Sequence, residues 1–229
     1  MTNTAISVAR ISVAIDGPAG AGKSTVAWLA ASALGYTYVD TGAMYRAVAW
    51  AVAQAGIAPD DTGAVCEVAE RLEIRLEQGR VFADGQDVTD QIRTPEISNL
   101  TSRLSALGCV RTRLAALQRD MGRGGGIVME GRDIGTVVLP NAEVKVFLTA
   151  SQAERVRRRR EELGASGVTL STEQLAEDIA ARDKRDASRD AAPMVPAADA
   201  VPLVSDGLSV EEVVSRILEL CREAEARHE

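Results

Sequence analysis

Histidine is almost absent from this chain of 229 residues, which contains only His228, beside the C-terminus. One terminal histidine argues against histidine-based acid–base catalysis and against histidine-rich metal sites. Aromatic residues are also scarce, at 3%, whereas apolar residues make up 46%, so the core has to be built from Ala, Val, Leu and Ile. The chemistry of any active site therefore falls to arginine, lysine, carboxylates, backbone amides and a bound cation.

The chain also has few cysteines, no net positive charge and no long apolar run. Cys66, Cys109 and Cys221 are odd in number and widely spaced, which predicts neither a disulfide framework nor a zinc site and is typical of the reducing cytoplasm. There is no apolar run of about 18 residues and no cleavable signal pattern in residues 1–15. The net charge is −7, which disfavours nucleic acid. We therefore expect a cytoplasmic protein that binds neither membrane nor nucleic acid. No long exposed apolar stripe stands out in the sequence, so we also expect a monomer.

A glycine-rich loop is the most specific feature that is present. The β-branched run 11–15 predicts a strand before it, and the alanine-rich run 26–34 predicts a helix after it. The loop matches the pattern G-x-x-x-x-G-K-[ST] with Gly17, Pro18, Ala19, Gly20, Ala21, Gly22, Lys23, Ser24 and Thr25. In such loops backbone amides face phosphate oxygens, the lysine reaches the β- and γ-phosphates, and the hydroxyl binds Mg²⁺. The sequence thus predicts a nucleoside-triphosphate site, with Ser24 on the metal.

Strand and helix patterns alternate along the chain and predict an α/β fold, a parallel sheet with helices on both faces. Further core strands are expected at 36–39, 127–129, 144–148 and 201–204, the last at a sheet edge because it contains Pro202. Between residues 72 and 88 the apolar period changes to two and glycine turns appear, which predicts a small antiparallel sheet. We interpret the chain as a single domain, 1–229, that contains this sheet as an insertion.

Charged residues follow two of the predicted strands. Arg46 lies in the helix after the second strand, where it could hold an anion or simply face solvent. Glu130 directly follows the buried run 127–129, a place where P-loop proteins often keep a carboxylate that faces the metal. Arg132 and Asp133 come next, and a salt bridge between the two within the turn is the structural alternative.

Arginines also cluster on two later helices. Arg155, Arg158 and Arg159 share one helix face and could converge on an anion, although a solvated face neutralised by nearby glutamates is the alternative. On the next helix Arg182, Asp186 and Arg189 follow at spacings of four and three, which is compatible with a site or with a self-neutralising surface stripe.

Four motifs together resemble the bacterial cytidylate kinases, a family of nucleoside-monophosphate kinases. They are Ile15-Asp16-Gly17-Pro18 running into the glycine-rich loop, Asp40-Thr41-Gly42-Ala43-Met44-Tyr45-Arg46, Gly131-Arg132-Asp133-Ile134-Gly135-Thr136-Val137-Val138, and Arg182-Asp183-Lys184-Arg185-Asp186. The resemblance covers nearly the whole chain. It implies a P-loop kinase core, a monophosphate-binding insertion at 41–110 and a short arginine-rich lid at 155–170. The implied reaction transfers the γ-phosphoryl group of Mg-ATP to CMP or dCMP.

The same resemblance implies a role for individual residues. The acceptor phosphate would be held by Arg46, Arg132 and Arg189. The cytosine would meet Thr41, Arg111 and Asp133. The pentose would meet Ser102, Arg182 and Asp186. The triphosphate would be covered by Arg155, Arg158 and Arg159, and the groups closest to the chemistry would be Lys23, Arg132 and Asp133. Thr41 and Glu130 stand where some members carry serine and aspartate, so the role of Glu130 stays open.

Three other functions share the P-loop. An adenylate kinase is disfavoured because the lid is short and lacks a four-cysteine cluster. A nucleotide-dependent switch protein would need a guanine-reading N-K-x-D motif, which the sequence does not contain. A kinase of a small metabolite on the same fold is left open, and only the choice of acceptor separates it from a nucleotide kinase.

Overall fold

The computed structural model describes residues 10–165, 171–189 and 192–227, and these ranges form eight strands and eight α-helices. The strands are β1 (Ser12–Asp16), β2 (Thr37–Asp40), β3 (Ile74–Glu77), β4 (Arg80–Ala83), β5 (Gln86–Asp87), β6 (Ile127–Gly131), β7 (Val144–Thr149) and β8 (Val201–Val204). The helices are α1 (Lys23–Leu34), α2 (Thr41–Gln54), α3 (Thr62–Arg71), α4 (Pro95–Leu104), α5 (Gly108–Gly122), α6 (Gln152–Ala165), α7 (Thr172–Ala187) and α8 (Val210–Glu225). His228 and the end of the expected lid, 166–170, lie outside the described residues.

Five of the strands form the expected parallel sheet, in the order β2-β6-β1-β7-β8. The strand β1 lies in the middle, and β8, which contains Pro202, lies at an edge as expected. Val13 and Val128 pack in one apolar cluster with α1 and α8. Ala14 and Met129, one residue further along the same strands, pack in another cluster on the opposite face. Helices on both faces of the sheet are therefore confirmed.

The parallel strands end at one common edge of the sheet, and this edge positions the charged residues. In the register of β1 and β6, Asp16 lies beside Gly131. In the register of β2 and β6, Asp40 lies beside Glu130. The glycine-rich loop, the start of α2 and the segment after β6 all leave the sheet at this edge. In parallel sheets, ligands bind outside the carboxyl ends of the strands.

The small antiparallel sheet is also present, in the order β3-β4-β5. It packs with α2, α3, α4 and α5 around an apolar cluster whose buried members run from Ala43 to Leu114. Alanine and valine fill much of this cluster, in agreement with the scarcity of aromatic residues. This part of the chain thus has a core distinct from the two clusters that flank the parallel sheet.

The cysteine spacing predicted no disulfide framework, and this expectation is wrong for one pair, because Cys66 and Cys109 form a disulfide bond. The bond joins α3 to α5, and the two residues are 43 positions apart in sequence. The sequence spacing of the two cysteines does not predict this disulfide, because only the packing of α3 against α5 brings them together. Cys221 is free and buried, and burial raises the pKa of its thiol to about 12, so this thiol is unreactive.

In the described ranges, none of the helices combines the length and the apolar character that a membrane crossing requires.

Candidate functional site

The glycine-rich loop joins β1 to α1 at the carboxyl edge of the sheet. Gly17 has a φ of 145°, and a Cβ atom there would lie 1.9 Å from the carbonyl oxygen of Leu148, so no other residue fits. Gly22, with a φ of 91°, directly precedes α1. The loop therefore passes close to β7, and the first residues of α1 line the cleft. Backbone N–H groups at a helix start lack partners within the helix, which suits anion binding.

Lys23 is the first residue of α1, and its side chain is buried beneath the loop at 6% exposure. Its Nζ atom donates a hydrogen bond to the carbonyl oxygen of Pro18 over 2.7 Å. Burial, followed by the positive charge of Arg132, lowers the pKa of Lys23 to about 7, although Glu130 acts in the opposite direction. The lowered pKa means that the protein alone stabilises the charged form of Lys23 poorly. An anionic ligand beside Nζ would favour that charged form.

The shift in this pKa predicts a pH dependence of stability in the unliganded protein. The folded-state pKa of Lys23 is about 7 and its ordinary value is 10.5, so between these values the unfolded chain binds more protons. Stability from this group therefore rises with pH across that window. Relative to Lys23→Met, the free energy of unfolding of the wild type should rise by about 1 kcal/mol per pH unit from roughly pH 7 to 9. Urea denaturation in magnesium-free buffer measures this, and parallel pH profiles of the two proteins would contradict it.

Two carboxylates, Asp16 and Glu130, lie next to Lys23, and the sequence indicated only that Glu130 could face a metal. Asp16 accepts hydrogen bonds from the backbone N–H groups of Ile134 and Gly135, both over 2.8 Å. It therefore fixes the π-helical turn Ile134–Val138. Burial raises the pKa of Asp16 to about 6. The only sequence signal for this role is its place directly before the loop in Ile15-Asp16-Gly17.

Glu130, at the end of β6, accepts a hydrogen bond from the hydroxyl of Tyr38 over 2.5 Å. Burial, followed by the nearby charge of Asp40, raises the pKa of Glu130. The hydroxyl of Ser24 is close enough to interact with this carboxylate, and its residue is exposed to the cleft. The carboxylate of Glu130 and the hydroxyl of Ser24 thus place two oxygen atoms beside the start of α1, and oxygen is the ligand atom that Mg²⁺ prefers.

The residues after β6 make ion pairs with other elements instead of with each other. Asp133 accepts a hydrogen bond from Arg111 on α5 over 2.5 Å, and the two side chains are 10% and 8% exposed. Arg132 donates from Nε to Asp186 on α7 over 3.0 Å. The salt bridge within the turn, the structural alternative from the sequence, is therefore absent from the described contacts of Arg132 and Asp133.

Asp186 is the centre of a second buried cluster. Its other carboxylate oxygen accepts a hydrogen bond from Arg189, which also donates to the hydroxyl of Ser105 over 3.1 Å. Arg182, one turn earlier on α7, is partly buried, and its pKa is lowered to about 10 by desolvation and then by the charge of Arg132. The stripe on α7 is thus packed into the cleft and is not a solvated surface stripe.

The start of α2 adds further polar groups to the cleft. Asp40 caps this helix by accepting from the N–H of Ala43, and it also accepts from Arg46 over 2.7 Å. The hydroxyl of Thr41 donates to the carbonyl oxygen of Glu130 over 2.7 Å. On α4, the Oγ atom of Ser102 is buried without a partner among the described residues. The unsatisfied hydroxyl of Ser102 is available to a ligand.

The arginines of α6 lie against the glycine-rich loop. Arg155 pairs with Asp183 and donates to the carbonyl oxygen of Ala19 over 3.3 Å. Arg158 donates to the carbonyl oxygen of Ala21 over 3.0 Å. By contrast, Arg157 is 50% exposed and pairs with glutamates of its own helix. The helix α6 therefore has one face on the loop and one solvated face.

One cleft of about 720 Å³ connects these groups, a size typical of ligand sites. The predicted residues that line it are Ala19, Gly20, Gly22, Lys23, Ser24, Thr25, Thr41, Arg46, Ser102, Arg111, Arg132, Asp133, Arg158, Arg159, Arg182, Asp186 and Arg189. Gly17, Pro18, Ala21 and Arg155 are not among its lining residues. Tyr45 and Gln118 line the cleft without having been predicted.

The fold and the cleft define the class of protein. A P-loop with a buried lysine forms one end of the cleft, and several arginines paired with acidic residues form the other. This arrangement, on a five-stranded parallel sheet with a small antiparallel insertion, is that of a P-loop kinase of the nucleoside-monophosphate type.

Comparison with known proteins identifies the family. The model of the family "Cytidylate kinase" matches residues 13–223. A cytidylate kinase from Geobacter sulfurreducens is 52% identical over 217 residues, which cover 93% of each chain. One from Pelotomaculum thermopropionicum is 51% identical over 211 residues, or 90% of this chain and 93% of its own. The chain belongs to the cytidylate kinase family, as the four motifs indicated.

A solved structure supports the fold independently. The crystal structure of an uncharacterised protein from Eubacterium ventriosum matches with a TM-score of 0.51, covering 92% of this chain and 97% of its own. The two sequences are 13% identical, so this likeness concerns the fold alone.

Proposed function

We propose that this chain transfers the γ-phosphoryl group of ATP to CMP or dCMP, giving ADP and CDP or dCDP. One observation carries the proposal: a single cleft joins the P-loop lysine to the buried ion pairs Arg111–Asp133 and Arg132–Asp186. A donor phosphate on the loop and an acceptor in the other half of the cleft would face each other. Membership of the cytidylate kinase family supports the same reaction.

The acceptor phosphate is assigned to Arg46, Arg132 and Arg189, whose guanidinium groups line the cleft. The nucleophile is an oxygen of the monophosphate, whose second pKa of about 6 leaves it mostly deprotonated at neutral pH. The reaction therefore needs no strong general base, which agrees with the scarcity of histidine. Catalysis consists of alignment and of charge stabilisation by Lys23 and Arg132.

The cytosine is assigned to Thr41, Arg111 and Asp133. Asp133 can only accept hydrogen bonds when ionised, so it selects the exocyclic amine of cytosine over the carbonyl oxygen of uracil. Arg111 fixes the orientation of this carboxylate through their ion pair. The pentose is assigned to Ser102, whose hydroxyl lacks a partner in the described contacts, together with Arg182 and Asp186.

The residues around the loop fit Mg²⁺ bound together with the triphosphate. This ion usually keeps several waters and takes one or two protein oxygens beside the substrate phosphates. Consistent with that, the described residues contain no group of three or more acidic, histidine or cysteine side chains that could hold a metal alone. Ser24 would hold the ion, with Glu130 nearby to order its shell. When bound, Mg²⁺ neutralises charge on the transferred phosphoryl group.

The lid is assigned to residues 155–170 and the monophosphate-binding insertion to residues 41–110. Arg155, Arg158 and Arg159 would act on the triphosphate as the lid closes, which excludes water that would otherwise hydrolyse ATP. In the structure, two of these arginines already contact carbonyl oxygens of the loop. We further propose a cytoplasmic monomer that binds neither nucleic acid nor membrane. The Cys66–Cys109 bond means that the cysteines do not support the reducing cytoplasm in this proposal.

The first experiment measures ADP release with Mg-ATP and, in turn, CMP, dCMP, UMP, AMP, GMP or no acceptor. Fast turnover with CMP and dCMP only is the expected result. A preference for AMP or GMP would keep the fold and overturn the assignment of the base site. ATP hydrolysis that does not depend on an acceptor would overturn the monophosphate site altogether.

A further inference from the structure

A buried glutamine on α5 lines the cleft and has no part in the assignments above. Gln118 is 1% exposed, and within the described ranges nothing accepts a hydrogen bond from its amide nitrogen, Nε2. A buried amide without a partner costs free energy, because the hydrogen bonds that it made with water in the unfolded chain are not replaced. Such a group in the wall of a cleft points to a ligand that supplies the missing partner.

The position of Gln118 relates it to the Arg111–Asp133 pair. It follows Arg111 by two helical turns on the same face of α5, about 10 Å along the axis. Its neighbour Arg119 donates a hydrogen bond to the carbonyl oxygen of Val137 over 3.0 Å. This bond holds the end of α5 against the segment that follows Asp133. The carboxamide and the ion pair therefore border the same part of the fold and the same cleft.

Packing alone does not account for glutamine at this position. Leu114, one turn earlier on the same face, is fully buried in the apolar cluster of the insertion. A leucine or methionine at position 118 would fill a similar volume without an unpaired amide, and these residue types are far more often fully buried than glutamine. A polar side chain at this buried position is explained by what the cleft binds.

We propose that the carboxamide of Gln118 binds the pyrimidine ring of the acceptor nucleotide, an inference that rests on the proposed function. Cytosine presents an amino donor beside a ring-nitrogen acceptor, and a carboxamide presents an acceptor beside a donor. The two edges are therefore complementary. Rotation of the amide by half a turn matches the opposite pattern of uracil equally well. Gln118 thus adds affinity for the pyrimidine, whereas Asp133 chooses between cytosine and uracil.

The test compares Gln118→Met with Leu114→Met, a matched control that places methionine on the same helix face but in the apolar cluster. Calorimetric titration without ATP measures the Kd of CMP, UMP and cytidine, and steady-state kinetics measure KM and kcat. For Gln118→Met we expect the Kd and KM of CMP and UMP to rise about 10–100-fold, the typical effect of two lost hydrogen bonds to a ligand. The preference for CMP over UMP and the KM of ATP should stay within about threefold, and Leu114→Met should bind CMP like the wild type.

Three other outcomes would overturn the inference, and they can be distinguished from one another. Unchanged Kd values with only a changed melting temperature would show that Gln118 has a packing role. Weaker binding of CMP but not of cytidine would place the contact on the phosphate. If Gln118→Met does not fold, Gln118→Asn replaces it, because it keeps an amide that is one methylene shorter and should weaken cytidine and CMP alike. A wild type that binds no CMP would overturn the proposed function itself.

Discussion

Replacement of Lys23 by methionine should lower kcat by about 10²–10³-fold while the protein stays folded. The expected loss is the one typical of removing a single preorganised donor from developing transition-state charge. Methionine keeps most of the length of the side chain, so the loop retains its packing. The assay is ADP release with CMP at saturating Mg-ATP, and a parallel titration measures the affinity for ATP.

Stability provides the control for this variant. In the unliganded protein the amine of Lys23 is buried, and within the described ranges its one hydrogen bond goes to the carbonyl oxygen of Pro18. Its burial costs free energy, so Lys23→Met at pH 7 should melt no lower than the wild type. Loss of activity together with a large fall in melting temperature would indicate a collapsed loop instead of a missing charge. Near-normal turnover would contradict the assignment of the P-loop.

Replacement of Asp133 by asparagine should lower the preference for CMP over UMP by about 10–100-fold, the range for a lost hydrogen bond to a charged group. Asparagine has nearly the same shape, but its amide nitrogen can donate to the carbonyl oxygen of uracil. The measurement is kcat/KM for CMP and UMP. The melting temperature should also fall, because the variant leaves the buried guanidinium of Arg111 without its charged partner.

Asp183→Asn is the matched control for this experiment. Asp183 is also paired with an arginine, Arg155, and both side chains are largely buried. This pair lies beside the glycine-rich loop and away from the Arg111–Asp133 pair, so its loss should leave the preference between CMP and UMP unchanged. If Asp133→Asn changes stability but leaves the kinetics of CMP as they were, Asp133 does not contact the acceptor base.

Much of the fold could be predicted because its signals are local. The β-branched run of β1, the glycines of the loop and the alanine-rich α1 follow one another within about 25 residues, and each follows from backbone preferences. Gly35 ends α1 with a φ of 65°, a left-handed conformation that glycine adopts without steric cost. The change of period at β3 and the proline in β8 likewise predicted the small sheet and the sheet edge.

The partners of charged side chains could not be predicted in the same way. Arg132 and Asp133 are neighbours in sequence, yet they pair with Asp186 and Arg111, which are 54 and 22 residues away. Cys66 and Cys109 pair across 43 residues. Neighbouring residues at the end of a strand point in different directions, and the elements packed around them decide which opposite charge is nearest.

The sequence by itself determined the phosphate-binding loop, the order of strands and helices, and the kinds of side chain available for catalysis. These features depend on residue identity and on local conformational preferences, which are set by residues close together in the sequence. Only the tertiary structure decided that Asp16 fixes the turn after Asp133 and that Arg155 and Arg158 lie on the loop. It also decided that Gln118 is buried with an amide nitrogen that has no partner among the described residues. Such roles arise from burial and long-range contacts, which exist only once the sheet and the helices have packed.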